Sequence, residues 1–180
     1  MEFVRDNSAS ANNTPNVTRR LILRERIGDT ELMVKIYLDN CCYNRPFDDF
    51  SIGKNALEAN AKIYIQSLIK YKSVALYYSF MSQLEIDDSP YEERKGYILD
   101  FVEANAVGFI GKKRFNEIEA LSEEIMQTGI KKKDATHLAC AIIAECDYFI
   151  TTDKRVINYK TDRIKVVNPI SFMEIWEETE

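Results

Sequence analysis

The chain has 180 residues, of which 46% are hydrophobic and 29% charged, as in a globular protein large enough to bury its own core. Its 24 lysines and arginines against 29 aspartates and glutamates give a net charge of −5, which does not by itself indicate a nucleic-acid binder. No apolar run approaches the length of a membrane span, and the first residues lack a secretion signal. We therefore expect a cytoplasmic protein without membrane association.

The first 32 residues differ in composition from the rest. Residues 6–18 are rich in Ser, Asn and Ala and contain too few large apolar side chains to fold, and residues 19–26 alternate basic and aliphatic side chains. We predict a flexible N-terminal extension or tail over residues 1–32 and one folded domain over residues 33–180.

Regular patterning begins at residue 34, where a β-branched and aromatic run predicts a strand over residues 34–38. Helical spacing follows over residues 57–71, then a strand over 74–78 and a short helix that carries Glu85. A capping box at residues 89–92 predicts a further helix. A strand over 106–110 and a helix closed by Gly129 come next, then a helix opened by Asp134, strands over 148–152 and 164–167, and a last helix from about Ser171.

Strands that alternate with helices and read as continuous apolar runs predict a parallel sheet covered by helices on both faces. In such a sheet, ligands bind outside the carboxyl ends of the strands. Asp39 and Asp153 each follow a predicted strand directly. Asp134 begins the helix that leads to the strand before Asp153, and Glu85 follows the second strand. We therefore expect four carboxylates at one edge of the sheet.

Each of these acids also has a structural interpretation. Asp134 could cap its helix, and Asp153 could close a turn or cap a helix. Glu85 could be a solvated surface acid, and Asp87 could replace it at the site. Their joint placement favours a hard cation such as Mg²⁺ or Mn²⁺, because clustered carboxylates repel one another unless a metal neutralises them. A metal so held activates water for attack on phosphorus.

Three segments resemble, in this order, the acidic motifs of PIN-domain proteins. They are Tyr-Leu-Asp-Asn at residues 37–40, Lys-Asp-Ala-Thr-His-Leu-Ala at 133–139 and Phe-Ile-Thr-Thr-Asp at 149–153. Glu85, in Ser-Gln-Leu-Glu, matches the remaining acidic position less sharply. The resemblance covers the chain from about residue 34 onward. It departs from the family at Asn40, where a small hydroxyl residue is common.

The resemblance implies a three-layer α/β/α fold with a central parallel sheet and a metal-dependent endoribonuclease that hydrolyses RNA. Mg²⁺ or Mn²⁺ would be held by Asp39, Glu85, Asp134 and Asp153, while Asn40 and Thr152 would orient the acids through hydrogen bonds. Many bacterial members are toxins of the VapC type, silenced by an antitoxin protein, and dimers are common. The resemblance therefore also implies an antitoxin partner and a homodimer.

Basic residues near these acids are candidate RNA contacts. The candidates are Arg45, Lys131, Lys132, Lys133 and Lys154. The run at residues 112–114 is a solvated face unless it lies beside a functional site. We expect His137 to pack on its helix, bonded to a neighbour, rather than to act in catalysis.

Two other functions are compatible with parts of the pattern. A non-catalytic PIN-like subunit could bind RNA or a protein without cleaving, although the four retained acids argue against it. A phosphate-receiver domain is disfavoured because the acids are spread from Asp39 to Asp153, without the adjacent acid pair expected near a first strand. Residues 19–26 could also enter the acidic site of the same chain or of a neighbouring copy, in which case a chain starting at Met33 would be more active.

Overall fold

The structure is a computed structural model that describes residues 33–44, 51 and 53–178. The predicted extension over residues 1–32, the basic segment 19–26 and Arg45 lie outside the described residues. The structure therefore does not test the predictions made for these residues.

Five strands form one sheet in the order β3-β2-β1-β4-β5, and every neighbouring pair is parallel. The strands are β1 (Val34–Leu38), β2 (Val74–Ser79), β3 (Gly108–Ile110), β4 (Tyr148–Ile150) and β5 (Lys165–Val167). The chain adds strands on one side of β1 and then crosses to the other side with β4. This reversal of direction between β1 and β4 creates a crevice at their carboxyl ends, where open α/β sheets bind ligands.

Helices cover both faces of the sheet. They are α1 (Asn40–Asn44), α2 (Gly53–Lys70), α3 (Phe80–Asp87), α4 (Glu92–Asn105), α5 (Phe115–Met126), α6 (Lys132–Ile143), α7 (Lys154–Ile157) and α8 (Pro169–Glu177), with a 3₁₀ turn over Lys112–Arg114. The predicted three-layer α/β/α fold with a central parallel sheet is confirmed. Within the described part of the chain, no helix is both long and apolar enough to cross a membrane.

The alternation of side chains along β1 divides the core into two layers. Ile36 and Leu38 pack with residues of α2, α4 and α8, such as Ile65. Tyr37 points to the opposite face and packs with residues of α5 and α6, such as Leu138. The apolar run of β1 is therefore buried on both sides, which places the residue after it at the centre of the carboxyl edge.

Two predicted helix starts differ from the structure. The capping box at Ser89 is wrong: α4 begins at Glu92, and its N-cap residue Tyr91 makes no side-chain capping bond. Ser89 instead accepts a hydrogen bond from the backbone N–H of Tyr91 at 3.5 Å. A capping box does occur at the start of α3, where the Ser79 and Ser82 hydroxyls exchange bonds with each other's backbone N–H groups.

The start of α6 also moves by two residues. The helix begins at Lys132, so Asp134 lies in its first turn and is not its N-cap residue. Lys131 occupies the N-cap position without a side-chain bond. The carboxylate of Asp134 is therefore not committed to capping its own helix. Before it, α5 ends at Met126, and Gly129 has a positive φ of 94° that glycine adopts readily.

Candidate acidic site at the carboxyl edge of the sheet

Asp39 leaves the end of β1 and is anchored to the end of β4. Its backbone N–H donates to the carbonyl of Ile150 at 2.9 Å. Its carboxylate oxygen Oδ2 accepts a hydrogen bond from the Thr151 hydroxyl at 2.6 Å and another from the Cys41 thiol at 3.1 Å. Only 7% of Asp39 is exposed. Strand pairing and a short charge-assisted bond therefore fix this carboxylate in one orientation.

Thr151, and not the predicted Thr152, is the hydroxyl residue that orients Asp39. Leu38 is paired with Ile150, so the next residues along, Asp39 and Thr151, lie side by side. Thr152 contributes its backbone N–H, which donates to the Cys41 sulfur at 3.2 Å. Successive side chains of an extended segment point in opposite directions, so only one of the two threonines can face Asp39.

Asn40 is buried next to Asp39 at the start of α1. Its amide nitrogen Nδ2 donates to the Ser82 carbonyl at 3.5 Å, whereas its buried amide oxygen Oδ1 has no hydrogen-bond partner among the described residues. A buried acceptor without a partner is costly in a folded protein. Its oxygen is therefore available to a cation or to a donor that enters the site.

The charges of two other predicted site acids act on Asp134. Its pKa is raised, first by burial and then by the charges of Asp39 and Asp153. The three carboxylates come from β1, from the first turn of α6 and from the segment after β4. Asp134 therefore lies within electrostatic reach of two of the other three predicted acids, Asp39 and Asp153.

Asp153 is held by an arginine that follows it. Its carboxylate accepts a hydrogen bond from the backbone N–H of Arg155, as the N-cap of α7, and pairs with the guanidinium at 2.6 Å. This contact lowers the pKa of Asp153. The capping interpretation considered for Asp153 thus holds in the structure, and Arg155 supplies the positive charge that a cation would otherwise bring.

Glu85 is connected to the core through His137. The His137 ring nitrogen Nε2 lies 3.2 Å from the Glu85 carboxylate, and its other ring nitrogen, Nδ1, lies 2.8 Å from the hydroxyl of Tyr37. That hydroxyl also contacts the hydroxyls of Ser79 at 2.6 Å and Ser82 at 2.8 Å. The expectation that His137 is packed and bonded to a neighbour is confirmed, and one neighbour is a predicted site acid.

The ionised state of Glu85 determines which ring nitrogen of His137 carries a proton. The hydrogen bond with His137 is the main cause of the lowered pKa of Glu85, and Lys133 contributes from 3.6 Å. Because an ionised carboxylate only accepts hydrogen bonds, Nε2 of His137 must be the donor. Asp87, the alternative to Glu85, pairs instead with Lys95 at 3.8 Å.

The predicted RNA-binding lysines border the acids to different extents. Lys131 lowers the pKa of Asp153 through its charge, and Lys133 pairs with Glu85. Lys132 and Lys154 are exposed at the first positions of α6 and α7. All four therefore lie at helix starts that flank the carboxyl edge of the sheet.

The donor atoms at this edge suit a hard cation, although their present arrangement does not form a coordination sphere. Across residues 33–44, 51 and 53–178, no three His, Cys, Asp or Glu side chains are grouped as a ready metal site. Carboxylate oxygens and the buried Oδ1 of Asn40 are nevertheless the ligand type that Mg²⁺ and Mn²⁺ take. An incoming ion would have to replace Arg155 at Asp153 and Lys133 at Glu85, while His137 can keep its contact with the other Glu85 oxygen.

Several contacts at this site were not predicted from the sequence. They involve Tyr37, Cys41, Thr151 and Arg155. Arg155 lies two residues after Asp153, a spacing at which a capping aspartate can meet a side chain, so it could have been found. Cys41 likewise lies two residues after Asp39. The contacts of Thr151 and Tyr37 join segments that are distant in sequence, and the Thr151 contact needed the strand register.

Comparison with known proteins leaves the family of this chain open. No protein-family model matches it, and no curated protein matches it significantly. A solved structure described as the crystal structure of FitAcB from Neisseria gonorrhoeae is similar over 74% of this chain and 97% of that chain, with 17% identity and a TM-score of 0.45. Likeness at this level supports no functional argument, so the functional assignment depends on the residues of the site.

Proposed function

We propose that this chain is a PIN-like, metal-dependent endoribonuclease that hydrolyses RNA phosphodiester bonds. The observation that carries the proposal is the buried Asp39 carboxylate at the end of β1, which Thr151 orients through a 2.6 Å hydrogen bond. Burial and the charges of Asp39 and Asp153 also raise the pKa of Asp134, in agreement with an acidic site at this edge. The repulsion between like charges at a strand-end crevice lowers the stability of the folded chain. Such an arrangement is typical of sites that a cation or a substrate completes.

Asp39, Glu85, Asp134 and Asp153 are the residues that would hold Mg²⁺ or Mn²⁺. A bound ion of this kind lowers the pKa of water and neutralises charge on phosphate oxygens. Neighbouring residues hold two of these carboxylates in fixed orientations. Thr151 fixes the orientation of Asp39, and His137 directs the carboxylate of Glu85. Lys131 and Lys133, beside the acids, would attract the RNA phosphates.

The decisive experiment compares two carboxylates of equal charge. The full chain should cleave a labelled single-stranded RNA in the presence of Mn²⁺, and Asp39→Asn should reduce the rate by at least about 100-fold. Asp87→Asn is the matched control, because Asp87 contacts Lys95 away from the site and should leave the rate unchanged. If Asp39→Asn cleaves as fast as the parent chain, the proposal is wrong.

The proposal extends to a toxin that is silenced by an antitoxin and acts as a homodimer. The same variants test the toxin part in cells. Expression of the parent chain or of Asp87→Asn should arrest growth, whereas Asp39→Asn should not. Growth that is equally unaffected by all three chains would remove the toxin assignment and leave the nuclease assignment to the cleavage assay.

A second candidate is a non-catalytic subunit that binds RNA or protein, and one observation favours it. Arg155 neutralises Asp153, while His137 and Lys133 engage Glu85, so two of the four acids already have partners. Calorimetric titration with Mn²⁺ separates the two functions. A nuclease should show a binding isotherm that Asp134→Asn abolishes, whereas a non-catalytic subunit should show no carboxylate-dependent binding.

A further inference from the structure

A groove of about 740 Å³ lies beside the edge strand β3, apart from the acidic site. Tyr77, Ile110 and Ile143 contribute its apolar lining, and Lys112 and Lys113 stand among its charged residues. Its volume is within the range of roughly 300–1,000 Å³ found for small-molecule sites. The basic run that the sequence left unassigned therefore borders a concave surface.

The aromatic part of this lining depends on a glycine. Strand pairing places Tyr77 opposite Gly108, and the ring of Tyr77 lies against the glycine backbone. A Cβ atom added at Gly108 would be only 2.2 Å from Cε1 of Tyr77. Only glycine lets the ring lie this close to β3, so the ring of Tyr77 is held in place at the sheet edge. The ammonium of Lys35 lies 5.6 Å from the ring centroid and adds a positive charge beside it.

The three basic residues of the 3₁₀ turn have different environments. Arg114 pairs with Glu117 at 2.6 Å and also donates to the carbonyl of Ile143 at 3.2 Å, which fixes it as a wall of the groove. Lys112 and Lys113 are exposed, and within the part of the chain that the structure describes neither makes an ion pair. In a chain of net charge −5, these adjacent cations create a local positive surface.

A ligand that fits this groove must combine a flat apolar group with a negative charge. A nucleotide of single-stranded nucleic acid has both, since its base stacks on aromatic rings and its phosphate binds lysine. An acidic peptide paired with β3 is the other occupant to consider. It fits less well, because β3 has only three residues and so short an edge offers little backbone pairing.

The groove and the acids lie at opposite ends of α6. Arg114 joins the groove to Ile143, the last residue of α6, whereas Asp134 is in its first turn. At about 1.5 Å per residue, these positions are roughly 14 Å apart along the helix. That distance corresponds to about four stacked nucleotides at roughly 3.4 Å each. An RNA strand of about this length therefore has the reach to contact both places.

We propose that this groove binds a nucleotide of single-stranded RNA away from the cleavage position, with its base on Tyr77 and its phosphate at Lys112 and Lys113. The inference rests on the proposed ribonuclease function and adds a second RNA-binding site to it. It assigns the basic run at residues 112–114 to holding the substrate strand rather than to the reaction.

The test measures RNA binding by fluorescence anisotropy in the full-length Asp39→Asn background, which should not cleave. The probe is a labelled oligouridine of about 12 nucleotides, long enough to span both sites. Lys112→Ala combined with Lys113→Ala should weaken binding about tenfold. It should also reduce the slope of log affinity against log salt by about 1.4, because two phosphate contacts are lost.

Two further variants give the test its specificity. Lys70→Ala with Lys72→Ala removes the same charge just before β2, at the amino edge of the sheet, and should change neither affinity nor slope. Tyr77→Leu keeps apolar volume but removes the ring, so it should lower affinity at least about fivefold and leave the salt slope unchanged. A purely electrostatic effect would change the salt slope in both lysine double variants, and a purely structural effect would lower the affinity without changing the slope in any variant.

Three results would overturn the inference. If the lysine double variant binds RNA with the parent affinity and slope, the groove is not an RNA site, while the ribonuclease proposal stands on its own cleavage assay. If the double variant loses binding of a labelled oligoglutamate peptide and keeps its RNA affinity, the groove belongs to a protein partner. If neither the parent nor any variant binds or cleaves RNA, the proposed function fails together with the groove.

Discussion

Asp39 and Glu85 belong to the same candidate site but are held in place by different means. Asp39 is positioned by β1–β4 pairing and by the hydroxyl of a residue beside it, Thr151. Glu85 lies on α3, and its carboxylate contacts one ring nitrogen of His137. The other ring nitrogen of His137 contacts the hydroxyl of Tyr37. The first arrangement follows from the sheet, whereas the second depends on a buried chain of side chains. Substitutions that disturb the position of Asp39 should therefore have different effects from those that disturb the position of Glu85.

The largest effect is expected on the Glu85 side. His137→Leu removes both ring hydrogen bonds and leaves the buried Tyr37 hydroxyl with one partner fewer, so the free energy of unfolding should fall by about 3 kcal/mol. Mn²⁺ affinity should fall about tenfold, because Glu85 loses the group that directs it. Urea unfolding and calorimetry measure the two quantities.

His137→Gln is the matched control for that variant. Glutamine keeps an N–H group that can reach Glu85 but has no ring nitrogen for Tyr37. We expect it to recover most of the Mn²⁺ affinity while remaining less stable than the parent chain. Equal losses of metal affinity in His137→Gln and His137→Leu would show that His137 acts only through packing.

A smaller effect is expected on the Asp39 side. Thr151→Val keeps the side-chain shape but removes the 2.6 Å hydrogen bond to Asp39 and the 3.1 Å bond that the hydroxyl accepts from the backbone N–H of Asp153. Together these losses should lower the free energy of unfolding by about 2 kcal/mol. Thr152→Val should change it by less than about 0.5 kcal/mol, because the Thr152 side chain makes no hydrogen bond within the part of the chain that the structure describes. Urea unfolding of the two variants compares neighbouring threonines directly, and equal losses would contradict the assignment to Thr151.

The smallest effect should have the opposite sign. The folded-state pKa of Asp134 is raised, so its ionised form is less favourable in the folded chain than in the unfolded chain. In metal-free protein at neutral pH, Asp134→Asn should therefore raise the free energy of unfolding, by on the order of 1 kcal/mol at most.

The gain from Asp134→Asn should disappear as the pH falls. Stability that comes from the raised pKa is fully present below the unfolded-state pKa of aspartate and is lost as the pH rises through the folded-state pKa. The parent and the variant should therefore differ most above the folded-state pKa and converge in acid. Chemical unfolding at a series of pH values measures this difference, and a constant difference across the series would exclude Asp134 as its source.

The fold could be predicted largely from the sequence because its signals are local. The apolar run of residues 34–38 and the helical spacing after Asp134 each specify an element without reference to distant residues. The predicted ends of helices were less accurate, as at Ser89. The side chain of a capping residue can form other local hydrogen bonds instead, and Ser89 accepts one from the backbone N–H of Tyr91.

The candidate site could be predicted only where it coincides with strand ends. Asp39 and Asp153 follow from that rule, but the choice of Thr151 over Thr152 required the pairing of β1 with β4. Tyr37 was interpreted as part of an apolar strand, and its hydroxyl meets partners 42 to 100 residues away in sequence. Contacts over such separations leave no local pattern to detect.

His137 is also the only histidine of the chain. Isotopic labelling of histidine alone would therefore give a single pair of imidazole nitrogen signals in an NMR spectrum, with no assignment needed. Because one of these nitrogens faces Glu85 and the other faces Tyr37, their chemical shifts report both hydrogen bonds at once. The protein thus contains its own spectroscopic probe, able to show whether Glu85 leaves its partner when an ion or an RNA strand arrives.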